Sequence, residues 1–153
     1  VIQYCNKNQK SVIFAGKSDL NDFNMQEAEK QFYRVNSETK NFKIKFQNKI
    51  KFGSYQNIAE SKVVIATGSS MLREAIHFNA KVLACRFVKG DDYFLPTQKI
   101  NYTAKCSYEN FEKKLNSLLN MSYSKYLEEA GNLAYLYDNK IDGLKKINKI
   151  IDS

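Results

Sequence analysis

The residues best suited to chemistry lie close together, in Thr67-Gly68-Ser69-Ser70-Met71-Leu72-Arg73-Glu74. A glycine and two serines ahead of Leu72, Ala75 and Ile76 at helical spacing predict a turn that opens a helix. Unpaired amides and the positive end of the helix dipole meet at such a place, which suits a phosphate or another anion. Gly68 allows close backbone approach, and Ser69 and Ser70 add hydroxyl donors. The same residues also make an ordinary capped helix start, because Ser is a favoured N-cap. Glu74 falls four residues after Ser70, on the same helix face. Its carboxylate can accept two hydrogen bonds from a ribose diol. Alternatively it complements the dipole or pairs with Arg73.

Other polar groups admit the same two kinds of reading. Lys17 follows the first apolar run and can reach a phosphate as a point charge, or stand solvated in its loop. Arg86 follows Lys81-Val82-Leu83-Ala84-Cys85 at the edge where the Gly-Ser-Ser turn lies. His77 is three residues from Glu74, and such a pair can move protons. A structural histidine packed at a helix end is the preferred account. Asp91-Asp92 reads as a solvated pair in a polar loop, and His77 is the only histidine, so no metal is expected. Cys5, Cys85 and Cys106 are distant and form no CxxC pair, which predicts buried thiols in a reducing cytoplasm.

Alternating short apolar runs and helical periods must position these groups. Ser11 to Ala15, Phe42 to Phe46, Lys62 to Ala66 and Lys81 to Cys85 read as strands, with a short extended piece at Tyr102-Thr103-Ala104. Met25 to Val35 carries Ala28, Phe32 and Val35 at helical spacing, with Asn24 as its cap. Tyr55 to Glu60 is a short helix capped by Ser54, and Met71 to Phe78 is a helix that Asn79 closes in a left-handed conformation. Val88 to Gln98 is a long loop around Pro96. Three further helices follow, marked by Phe111 to Leu119 (capped by Ser107), Tyr126 to Ala134, and Ile141 to Ile151. Strand, turn, helix and strand with short links predict a parallel sheet with right-handed crossovers. The expected fold is therefore a three-layer α/β/α, Rossmann-like domain with a mostly parallel sheet and a helical C-terminal region, spanning 1–153 as one domain.

Composition narrows the function classes. The formal charge is +8, yet only three of 24 basic residues are arginines, and the lysines are scattered. Lys and Asn are both written by A-rich codons, so base composition accounts for the charge and nucleic acid is not expected as a partner. No apolar run approaches the roughly 20 residues that span a bilayer. The basic amphipathic tail from Asp138 to Ser153 suits either an anionic membrane surface or, preferably, packing against this domain or a partner. Nothing at the start has the pattern of a signal peptide. The start at Val1 rather than Met leads us to expect a piece of a longer chain.

The stretch Ile58 to Ala75, with Ser61-Lys62-Val63-Val64-Ile65-Ala66-Thr67-Gly68-Ser69-Ser70 at its centre and Glu74-Ala75 at its end, resembles the C-terminal half of GT-B glycosyltransferases. Those proteins run from a short helix through a strand and a Ser/Gly turn to a helix beginning near Glu-Ala. The Gly-Lys-Pro that often follows is replaced here by Asn79-Ala80-Lys81. The resemblance spans about Ser11 to Leu119 and is strongest from Phe52 to Cys85. It implies that Gly68, Ser69 and Ser70 hold the phosphates of a donor nucleotide-sugar, with Lys17 and Arg86 as further phosphate contacts. It implies that Glu74 holds ribose or sugar hydroxyls and that Phe52, Gly53, Ser54 and Tyr55, ahead of the short helix, pack the nucleobase.

The same resemblance implies glycosyl transfer in bacterial surface-polysaccharide synthesis, in the cytoplasm or at the inner membrane, with no cofactor beyond the donor. The acceptor domain and its catalytic base would lie N-terminal to this chain, so this piece alone should bind nucleotide weakly and be inactive. Nucleotide-sugar 2-epimerases share the architecture and a similar turn, and a non-catalytic nucleotide-binding or regulatory module remains the third alternative.

Overall fold

An apolar run satisfies its backbone polar groups only by pairing with a neighbour, and every strand pair among the described residues is parallel. The computed structural model describes residues 1–16, 27–37, 41–46, 53–67, 69–86, 99–104 and 107–131. The chain forms two compact units, Val1–Ser61 and Lys62–Ser153. The fold is α/β, with parallel strands joined through helices in the Rossmann-like manner.

In Val1–Ser61, β1 (Val12–Gly16) and β2 (Phe42–Phe46) pair in register from Val12 with Phe42 to Gly16 with Phe46. Helix α1 (Ile2–Lys7) precedes them, α2 (Glu27–Ser37) lies between them in the chain, and α3 (Gly53–Glu60) follows. α2 packs on β2 and α3 on β1. The polar, mixed start of the chain gave no expectation of α1. It forms because Tyr4 and Cys5 are buried, and it closes in a Schellman turn, with Gln9 at φ 51 and Lys10 N–H donating to the Cys5 carbonyl at 2.9 Å.

α2 is where a helix was expected, but the buried side is not the expected stripe. Phe32 and Val35 are 39% and 68% exposed, Ala28 is exposed too, and Tyr33 between them is fully buried. Tyr33 can be buried because its hydroxyl donates to Glu29 at 2.7 Å. Its ring stands edge-on to Phe14 at 5.3 Å, while Phe14 also meets Phe32 and Phe42. The proposed cap Asn24 lies outside the described residues. α3 begins at Gly53, so Ser54 sits inside the first turn rather than capping it. Gly53 is buried.

In Lys62–Ser153, β3 (Val63–Ala66), β4 (Lys81–Arg86) and β5 (Tyr102–Ala104) form a sheet in that order. Helix α4 (Met71–His77) follows β3 in the chain and packs on both β3 and β4 through its buried Leu72, Ala75 and Ile76 face. It ends as the sequence predicts: Asn79 takes φ 57 and Ala80 N–H donates to the Ala75 carbonyl at 3.0 Å. Val82, Leu83, Ala84 and Cys85 are all buried. Successive strand residues face opposite ways, so β4 is covered on both sides, the layered arrangement expected.

The covering elements are held to β4 by named polar contacts. α5 (Tyr108–Asn120) starts at Ser107, whose hydroxyl accepts from Asn110 N–H, as expected. α6 (Tyr123–Ala130) is capped the same way by Ser122, a cap that went unread in the sequence. The β5 ladder begins only opposite Ala84, whose N–H donates to the Asn101 carbonyl at 2.8 Å. Val82, two residues earlier on the same edge, donates instead to the Tyr126 hydroxyl at 3.3 Å. Lys81 Nζ donates to the Met121 carbonyl at 2.8 Å, a cation at the C-terminal end of α5. Lys114 Nζ bridges the carbonyls of Lys99 and Tyr102. Tyr123 donates to the Ile76 carbonyl at 3.3 Å. Leu133, Ala134, the loop 88–98 and the expected helix from Ile141 to Ile151 lie outside the described residues.

Two expectations follow from Tyr126. Tyr126→Phe keeps the ring but leaves the Val82 amide buried without an acceptor, so denaturant unfolding should show a loss of about 1–3 kcal/mol. Burial, and to a lesser degree Tyr123, push the Tyr126 phenol from 10.0 up to about 12, against the Val82 hydrogen bond that lowers it. A folded-state value above the unfolded one means that this stability is complete below pH 10 and is lost as the pH rises through about 12. Unfolding midpoints measured between those pH values should fall in the wild type and fall less in Tyr126→Phe. The slope should not vanish, because burial and the Glu29 hydrogen bond also raise Tyr33.

Candidate functional site

The register of the sheet fixes which residues share its carboxyl edge. Ala66, the last residue of β3, pairs with Ala84, and β4 runs on to Arg86, which pairs with Ala104 at the end of β5. Thr67, Arg86 and Ala104 therefore stand along one edge, and the turn into α4 leaves from it. Ligands of open parallel sheets bind at this edge. Arg86 is half-buried. The structure thus brings Ser69, Ser70, Glu74 and Arg86 into one unit, three of them in or just beyond the turn and one at the neighbouring strand end.

The turn is already engaged with its own helix. Ser69 Oγ accepts from Met71 N–H at 3.3 Å. The Ser69 carbonyl accepts from Leu72 N–H at 3.2 Å, and the Ser70 carbonyl from Arg73 and Glu74 N–H at 2.9 and 3.4 Å. Ser70 holds the N-cap position, yet its exposed hydroxyl makes no capping hydrogen bond. α4 has only seven residues, so its dipole is that of a short helix.

Glu74 is the fourth residue of α4 and half-buried, beside the Leu72, Ala75 and Ile76 face that packs on the sheet. Arg73 is exposed. His77, the last residue of α4, is exposed rather than packed. Gly68 and Lys17 lie outside the described residues, as do Asp91 and Asp92.

The nucleobase candidates belong to the other unit. Gly53, Ser54 and Tyr55 form the first turn of α3, not a loop ahead of it, with Gly53 buried, Ser54 half-buried and Tyr55 exposed. Phe52 lies outside the described residues. At the far end of α3, Glu60 pairs with Lys45 at 2.8 Å. Lys45 and α3 both belong to the Val1–Ser61 unit.

Buried polar groups that the sequence did not single out are Asn57, Asn101 and Thr103. Asn101 serves the sheet, its side-chain oxygen accepting from Lys99 N–H at 3.3 Å. Its signal was an Asn directly ahead of a short apolar run. The Asn57 side-chain oxygen has no partner.

Electrostatically the two ends of the three-stranded sheet differ. Lys62 directly precedes β3, and Lys81, the partner of Val63, begins β4. Burial, then the charge of Lys62, lowers the Lys81 ammonium below its ordinary range. This cationic end is opposite the Thr67–Arg86 edge. Cys5 and Cys85 are buried as expected, and burial raises the Cys5 thiol despite the N-terminal charge nearby. Cys106 lies outside the described residues. Among the described residues, no group of three or more His, Cys, Asp and Glu could hold a metal ion, and no helix is long and apolar enough to cross a membrane. No protein-family model, curated protein or solved structure matches the chain.

The division of labour between the two serines is testable. Ser69→Ala removes the acceptor for the Met71 amide and should cost about 1 kcal/mol of stability in denaturant unfolding. Ser70→Ala removes an exposed hydroxyl without a capping role and should stay within about 0.5 kcal/mol of the wild type.

Proposed function

We propose that the Lys62–Ser153 unit provides the nucleotide-diphosphate side of a glycosyl-transfer site, in an enzyme of the kind that builds bacterial surface polysaccharide. The observation that carries this is the shared carboxyl edge, where the Ser69-Ser70 turn into α4 and the Arg86 end of β4 stand on adjacent parallel strands. The phosphates would lie against the Ser70 hydroxyl and the Arg86 guanidinium, which can bind two oxygens at once. Glu74, one helical turn on, would take ribose or sugar hydroxyls. A positive group and oriented donors at that edge offset the charge that develops on the leaving nucleotide as the glycosidic bond breaks. The catalytic base is assigned to the acceptor domain that the resemblance implies.

One observation favours a second reading, a non-catalytic α/β module. The first amides of α4 are satisfied by Ser69 and Ser70, as in a helix start with no ligand to serve. Calorimetric titration with UDP, CMP and GDP separates the two. Donor-site function predicts binding of one of these that Arg86→Ala weakens about tenfold or more, the worth of a charge-assisted hydrogen bond. Ser69→Ala/Glu74→Ala should weaken it as well, with the fold retained by circular dichroism. Absence of binding to all three, or affinity untouched by these substitutions, would leave the turn as a helix cap and remove the donor-site proposal.

A further inference from the structure

No further inference is drawn: the strongest candidate, the buried and unpartnered side-chain oxygen of Asn57 in α3, is a single polar atom, and nothing in the structure shows what would donate a hydrogen bond to it.

Discussion

A strand covered on both faces must satisfy its backbone entirely at its edges, and β4 has neighbours of unequal length. β3 serves one edge along Lys81 to Ala84, whereas β5 reaches only Ala84 to Arg86. The uncovered part of the second edge includes the Val82 amide, in a residue with no exposure at all. A lone buried amide is costly, so a donor there demands an acceptor from elsewhere in the chain. The acceptor is the phenol of Tyr126, 44 residues away. That requirement fixes where α6 lies. Lys81 fixes the end of α5 by the same logic, and Lys114 ties α5 to the turn that leads into β5. The C-terminal helices thus complete a strand ladder that the sheet leaves unfinished.

The opposite end of the sheet is built differently. At the amino end, Lys81 and Lys114 donate to carbonyls and the Tyr126 phenol accepts from an amide. At the carboxyl end, Arg86 closes β4 and the turn carries two hydroxyls on a short helix. The difference is one of degree, because Ser69 already serves Met71. Any anion bound there would gain from the Ser70 hydroxyl and the helix dipole while displacing part of a capping interaction.

Much of the scaffold was legible in the sequence, because its signals are local. The strand read from Lys62 to Ala66 as the clearest buried one, the break after it and the left-handed Asn79 are set by residue type and stand in place, although β3 itself is half-buried and β4 is the buried strand. The Ser107 cap is of the same kind. What escaped was tertiary. Phe32 and Val35 have the right spacing to face inward, but the choice went to Tyr33, whose hydroxyl finds Glu29 one turn back. Helix α1 is short and polar in composition, and only the burial of Tyr4 and Cys5 makes it worth forming. The start of α3 lies at Gly53, two residues before the Tyr55 read from the sequence. At the candidate site, residue types and their common edge were legible. That a serine here can cap the helix was legible too, but that Ser69 takes the Met71 amide while Ser70 makes no capping bond depends on rotamer and turn geometry.

The two buried thiols have a use that their inertness obscures. Cys5 lies in the Val1–Ser61 unit and Cys85 in the Lys62–Ser153 unit. A buried thiol reacts with an alkylating reagent only when the structure around it opens. Each unit therefore carries its own internal clock. Mass-resolved alkylation rates at Cys5 and Cys85 would report whether the halves of this chain breathe together or each at its own pace.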